Sequence, residues 1–242
     1  MMDALLPPPS SGRVFRSTRR IRLADRDAQG RLRLDAVMRF LQDAATDDVD
    51  ETGWGAPDHL WVVRHAQIDV LDPALDSGDV ELATWCSGTA SLAAGRRLSI
   101  AGERGGRIEV DSVWIHLGPD ARPARIEGFG IYAEAAGDRS VSTRLELAAP
   151  EHDGPRARWP LRAADVDVMG HVNNAAYWQA VEECLVDAPV DPRRPLRARM
   201  DHRHPVDLED AVELATSVDD GGMTIAFVVD RASKAVARVA AL

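Results

Sequence analysis

In two stretches of this chain, apolar residues recur at the three- and four-residue spacings that mark one face of an α-helix. The spacing predicts helices near residues 34–46 and 174–186. The positions are Leu34, Val37, Met38 and Leu41 in the first stretch and Tyr177, Val181, Cys184 and Leu185 in the second.

Stretches of alternating apolar and polar residues follow each predicted helix and indicate strands. They are Val80–Cys86, Arg97–Ala101 and Arg107–Leu117, then Ala211–Val218, Met223–Asp230 and Ala235–Leu242. A further strand is expected over 156–163, directly before the second Asp-rich segment. One helix followed by several antiparallel strands is an α+β pattern and differs from the βαβ pattern of a parallel sheet.

The order of these elements reflects an internal repeat. Ala24–Gly30 is matched by Ala164–Gly170, and Val80–Thr84 is repeated letter for letter as Val212–Thr216. The repeat predicts two modules of similar fold, at 13–134 and 156–242. Between them, 135–155 is a connector rich in Gly, Asp, Ser and Pro, with one strand expected over 141–147.

Composition narrows the class of protein. A chain of 242 residues is long enough for two modules. The formal net charge of −10, with acidic residues spread along the chain, argues against a nucleic-acid-binding protein. No apolar run approaches the roughly 20 residues of a membrane-spanning helix. The two cysteines, Cys86 and Cys184, suit a reducing compartment, so we expect a cytoplasmic protein.

Candidate chemistry lies between Asp165 and Tyr177, where a strand meets a helix. Backbone N–H groups near Gly170 would point from the positive end of that helix and could stabilise an oxyanion. Asp167 is placed to deprotonate a water molecule beside such a carbonyl group. These parts suit hydrolysis of an activated acyl group without a Ser or Cys nucleophile. Asn173 and Asn174 are also favoured helix-start residues, so a purely structural cap is the alternative.

The pattern Asp167-x-x-Gly170-His171-Val172-Asn173-Asn174-x-x-Tyr177 resembles the signature of hotdog-fold thioesterases. Leu60–Arg64, Gly78–Trp85 and Ser112–Ile115 resemble the first half of the acyl-acyl-carrier-protein thioesterases. The resemblance covers roughly residues 14 to 242. It implies a tandem double hotdog, with two antiparallel sheets each wrapped around a central helix, and hydrolysis of a fatty acyl thioester to free acid and thiol.

The resemblance also implies site residues. The family's catalytic Asp matches Asp167 and its His matches His171, with the N–H groups of Gly170 and His171 polarising the carbonyl. His171 and Asn173 would hold the reacting groups or the water. Plant members have Asn where this chain has Met169, and a Glu-Cys pair where it has 205–206. We therefore expect a reduced polar network around His171.

The repeat indicates which module is active. The first module keeps Asp27 and Gly30, but Arg31 replaces the His and 33–34 (Arg-Leu) replaces the Asn pair. An Arg stays protonated and cannot act as a base. One active site is therefore predicted, in the second module, and the first module is expected to form walls of the substrate pocket.

Acyl carrier protein is the partner that the resemblance implies, and coenzyme A thioesters are the alternative. Turnover of the same acyl chain on both carriers separates them. Arginines within 13–22 or 193–203 could attract either carrier. A non-catalytic acyl-binding hotdog and a hotdog dehydratase are weaker alternatives, and acid release would exclude the first of these. No cofactor or metal is expected, although His202 and His204 beside Asp201 could form a metal pair. The sequence is compatible with a monomer and with a homodimer.

Overall fold

The computed structural model describes residues 5–54, 60–74, 78–103, 105–150, 155–186 and 188–242, which form ten strands and three α-helices. The helices are α1 (Leu34–Thr52), α2 (Gly130–Ala136) and α3 (Asn174–Leu185). The strands are β1 (Val14–Arg20), β2 (Leu60–Asp72), β3 (Asp79–Thr89), β4 (Ala93–Gly102), β5 (Arg107–Leu117), β6 (Arg156–Arg158), β7 (Leu196–His202), β8 (Glu213–Asp219), β9 (Gly222–Val229) and β10 (Ala232–Ala241). None of these three helices has the length and apolar character needed to span a membrane.

The ten strands form one antiparallel sheet in the order β1-β3-β4-β5-β2-β7-β10-β9-β8-β6. The last five strands are arranged like the first five but in the reverse order along the sheet, and β2 pairs with β7 at the centre. The sequence predicted two sheets, each wrapped around a central helix. The hydrogen bonds between β2 and β7 join the two halves edge to edge into a single continuous sheet, with the start of β2 beside the end of β7.

The sequence repeat corresponds to equivalent positions in this sheet. The segment 80–84 lies in β3, and 213–216 of its counterpart lie in β8. Both strands are second from an outer edge, next to β1 and β6 respectively. The repeated letters therefore mark repeated structure.

The connector region differs from its prediction. The strand expected over 156–163 is present only at Arg156–Arg158, and a 3-10 turn follows at Ala163–Asp165. No strand forms over 141–147, where Leu147 packs into a small cluster that includes Val236. The helix α2 was not predicted. Residues 151–154 of the expected connector lie outside the described residues.

Helices α1 and α3 pack against each other and share one hydrophobic core with the sheet. The predicted apolar stripes are the buried faces of both helices, except that Cys184 is only partly buried. Complete burial of a Leu, Val or Met side chain contributes roughly 1.5–3 kcal/mol. Because this core contains residues from both halves, it stabilises the two halves together.

A buried ion pair crosses the central strand pair. Asp69 of β2 faces Arg197 of β7, whose Nε and Nη2 donate to the two carboxylate oxygens at 2.7 and 2.6 Å. We expect Arg197→Met to lower the free energy of unfolding by about 3 kcal/mol, because it leaves a buried carboxylate unpaired.

The double variant Asp69→Leu/Arg197→Met should lose clearly less stability, since neither charge then remains buried alone. Urea denaturation of the wild type and both variants measures the difference. Equal losses in the single and double variants would contradict an ion-pair origin.

Candidate active site

A tight turn at the start of α3 presents Asp167 and His171. The Asp167 N–H donates to His171 O at 2.9 Å, and the Gly170 N–H donates to Asp167 O at 3.0 Å. Gly170 has a φ of +83°, a left-handed conformation that favours glycine. The Gly170 N–H is therefore occupied by a hydrogen bond within the turn. From the sequence we had expected it to polarise a substrate carbonyl.

A cavity of about 390 Å³ opens beside this turn, and both halves of the chain form its wall. The first half contributes mainly apolar side chains, among them Trp61, Val62, Val63, Ile115, Leu117 and Pro123. The second half contributes polar side chains, among them Asp167, His171, Asn174, Tyr177, His202 and His204. An apolar wall facing a small set of polar groups is typical of a site for a mostly apolar ligand with one reactive polar group.

Asp167 has one carboxylate oxygen available on this wall. Its Oδ1 accepts the Met169 N–H at 2.9 Å. No donor in the described part of the chain hydrogen-bonds to its Oδ2. A carboxylate held at one oxygen and open at the other can accept a proton from water.

The first half builds the same turn but satisfies its carboxylate completely. Asp27 Oδ1 accepts the N–H groups of Gln29 and Arg31 at 3.0 and 2.8 Å. Asp27 Oδ2 accepts Arg31 Nε at 3.1 Å. The residue that replaces the histidine therefore binds the carboxylate that would act as base.

The start of α1 is also occupied by the protein's own groups. Arg31 pairs with Glu182 of α3, and Glu182 Oε1 accepts the Leu34 N–H at 2.6 Å. Arg31 is 6% exposed. Within the described residues, the Leu34 N–H and the Arg31 guanidinium therefore both have internal partners.

His171 has a carboxylate partner that was not predicted from the sequence. Its Nδ1 lies 2.7 Å from Asp207 Oδ1, and the two side chains are 46% and 53% exposed. We expected a reduced polar network around His171, and Asp207, one residue beyond the 205–206 pair, adds a carboxylate to that network. Such an exposed pair contributes little stability, but it holds the ring in one orientation. The His171 N–H has no acceptor among the described residues.

The two adjacent asparagines have different environments. Asn173 is the N-cap of α3, and its Oδ1 accepts the Ala175 N–H at 2.8 Å and Gln42 Nε2 at 3.4 Å. Asn173 therefore stabilises the helix start. Asn174 lines the cavity, and its Oδ1 is enclosed without a hydrogen-bond partner in the described structure.

Tyr177 and His202 form another part of the wall. Their rings meet edge to face, with centroids 5.0 Å apart and planes at 83°. Burial lowers the pKa of His202 to about 4, so its ring is neutral at pH 7. Its Nε2 is enclosed and, like Asn174 Oδ1, has no partner in the described structure.

The metal pair considered at 201–204 does not form a ligand cluster. Asp201 is buried and accepts His65 Nδ1 at 2.7 Å and the N–H groups of Glu146 and Leu147. The residues that the structure describes contain no group of three His, Cys, Asp or Glu side chains able to hold a metal ion.

Comparison with known proteins connects this architecture to one family. The family model for the acyl-ACP thioesterase N-terminal domain matches residues 12–127, and the model for the C-terminal domain matches 149–237. An uncharacterized protein of Mycobacterium tuberculosis is 30% identical over 229 residues, covering 93% of this chain and 91% of that protein. The chain belongs to the acyl-ACP thioesterase family and is a thioester hydrolase.

Solved structures share the fold. An acyl-ACP thioesterase from Bacteroides thetaiotaomicron superposes with a TM-score of 0.78 at 15% identity, covering 94% of this chain and 97% of that one. A 12:0-ACP thioesterase from Umbellularia californica gives a TM-score of 0.74 at 19% identity, covering 94% and 93%. At these identities the likeness concerns the fold alone.

The enclosed ring nitrogen of His202 predicts a loss of stability in acid. The pKa of His202 is about 4 in the folded protein, against an ordinary value of 6.5. Between these pH values the unfolded chain binds a proton that the folded chain does not, so the free energy of unfolding falls as the pH falls. The contribution reaches about 3 kcal/mol by pH 4.

The variant His202→Leu removes this contribution. Its decrease in stability between pH 7.5 and pH 4.5, measured by urea unfolding, should be smaller than that of the wild type by about 2 kcal/mol. An identical pH dependence in both proteins would contradict the buried, neutral assignment.

Proposed function

We propose that this enzyme hydrolyses a fatty acyl thioester carried by acyl carrier protein, releasing free fatty acid and the carrier thiol. The acyl chain lies against the apolar wall formed by Trp61, Ile115 and Leu117. The oxygen of a water molecule bonds to the carbonyl carbon and the carbon–sulfur bond breaks. The proton lost by the water ends on the thiol sulfur.

The observation that carries this proposal is the contrast between the two Asp residues of the repeated turn. Asp167 has an open oxygen on the cavity wall, whereas both oxygens of Asp27 are hydrogen-bonded. Only the second turn keeps a base that can reach water. This supports one active site in the chain.

Each residue of the turn has a separate role in the proposal. Asp167 is the general base. The His171 N–H, at the positive end of α3, stabilises the carbonyl oxygen as negative charge develops on it. Asp207 holds the His171 ring. Gly170 allows the turn to close, and Asn173 fixes the helix start on which the N–H depends.

We propose that the halves are two hotdog modules in tandem. Residues 13–134 form the non-catalytic module and 156–242 the catalytic one, joined by the connector 135–155. The first module then contributes the acyl-facing wall. The two free cysteines, Cys86 and Cys184, support a cytoplasmic location.

Positive charges at the cavity support a carrier that contains a phosphate group. Among the arginines within 13–22 and 193–203, which were expected to attract the carrier, several have internal partners, for example Arg13 with Asp48 and Arg199 with Glu146. In contrast, Arg64 and Arg203 line the cavity and donate to backbone carbonyl oxygens. Their positive charge suits the phosphate group that acyl carrier protein and coenzyme A both attach to the thiol arm. A coenzyme A thioester therefore stays the second candidate.

Substitution of the two repeated Asp residues tests the proposal. Asp167→Asn keeps the shape of the side chain but removes the base, so we expect kcat for acyl-carrier-protein thioester hydrolysis to fall by ~10² to 10⁴. Asp27→Asn is the matched control from the other half, and it should keep kcat within about threefold of the wild type wherever circular dichroism shows it folded. If Asp167→Asn retained turnover and folded Asp27→Asn lost it, the active site would lie in the first half, contrary to the proposal.

A further inference from the structure

The strongest unassigned feature of the cavity is the side chain of Asn174. Its Oδ1 is shielded from solvent, yet it has no hydrogen-bond partner in the described structure. Leaving a buried acceptor unsatisfied costs about 1–3 kcal/mol, and such atoms in native proteins usually meet a water or a ligand. The residue belongs to the same wall as Asp167.

The groups next to Asn174 in the turn and the helix start do not provide an equivalent acceptor. Met169 also lines the cavity, but a thioether sulfur accepts hydrogen bonds only weakly. Asn173, the preceding residue, is committed to the N–H of Ala175. The Tyr177 hydroxyl has a backbone partner at Val206.

The repeat provides an internal comparison. Counting from the shared Asp-rich segment, Asn174 corresponds to Leu34 in the first half. That half, whose Asp27 is bound by Arg31, therefore also has an apolar side chain where the second half has an amide. The open carboxylate and the open amide oxygen occur together in one half and are both absent from the turn of the other.

We propose that Asn174 is a water-positioning residue of the thioesterase site, a role that rests on the function proposed above. The attacking water donates one hydrogen to Asp167 Oδ2 and the other to Asn174 Oδ1. Two acceptors fix the water so that its free lone pair faces the carbonyl carbon. As the oxygen–carbon bond forms, Asp167 takes the first proton and later passes it to the departing sulfur.

The second proton stays on the oxygen that becomes part of the acid product. Asn174 neither gains nor loses a proton in this sequence. Its contribution is geometric, and misplacing a reacting group by about 1 Å costs ~10² in rate.

Two substitutions separate this role from a structural one. Asn174→Leu introduces the side chain that α1 already accommodates at its own first position, and it removes the acceptor. Asn174→Asp restores acceptor oxygens, and a carboxylate is favourable in the first turn of a helix. We expect kcat to fall ~10² in Asn174→Leu with KM within about threefold, and most of that loss to be recovered in Asn174→Asp.

A crystal structure gives a readout independent of activity. The wild type should show an ordered water within hydrogen-bond distance of both Asp167 and Asn174. Asn174→Leu should lose that water while Asp167 keeps its position.

Three outcomes would overturn the proposal. Asn174→Leu could retain kcat within threefold of the wild type. Asn174→Asp could be as impaired as Asn174→Leu, which would mean that acceptor oxygens at this position do not restore turnover. The water could be absent from the wild type. If the wild type releases acid and Asp167→Asn does not, these outcomes reject the role of Asn174 alone, whereas no acid release by the wild type rejects the function itself.

Discussion

The antiparallel pairing of β2 with β7 determines the rest of this structure. It places the beginning of one strand beside the end of the other, so Trp61 and Val63 from the first half line the same cavity as His202 from the second. The cavity forms where these ends adjoin the turn that carries Asp167. The same pairing joins two five-stranded halves into one sheet, over which α1 and α3 share a single core.

The two halves keep one backbone design and differ in how its polar groups are satisfied. In the first half, Arg31 and Glu182 fill the turn and the helix start with internal ion pairs. In the second half, Asp167 Oδ2 and the His171 N–H have no hydrogen-bond partner among the described residues, and both residues line the cavity. A shared turn therefore gives a closed structural element in one half and, in our proposal, a reactive one in the other.

Much of this arrangement could be predicted from the sequence, because local spacing determines local structure. The buried faces of α1 and α3 follow from their apolar periodicity. Strands β1, β2 and β7 were not predicted, although for β7 the alternation of Leu196, Ala198 and Met200, all fully buried, is the signal that could have revealed it. Its outward side chains are Arg197 and Arg199, which find acidic partners only in the folded chain.

The finer features of the site depended on tertiary structure. Asp207 reaches His171 because the chain after β7 returns to the turn, and nothing local in the sequence indicates that approach. Which of two adjacent asparagines caps α3 depends on where the helix begins, and a shift of one residue exchanges their roles. The use of the Gly170 N–H within the turn likewise becomes evident only from the hydrogen bonds.

The central claim is that a duplicated fold carries a single active site. Isothermal titration calorimetry with a non-hydrolysable acyl-carrier analogue, in which a methylene group replaces the thioester sulfur, tests it directly by counting sites. A single active site predicts one equivalent bound per chain. Two equivalents per chain would show that the turn closed by Arg31 and Glu182 also binds substrate, so that both halves are active.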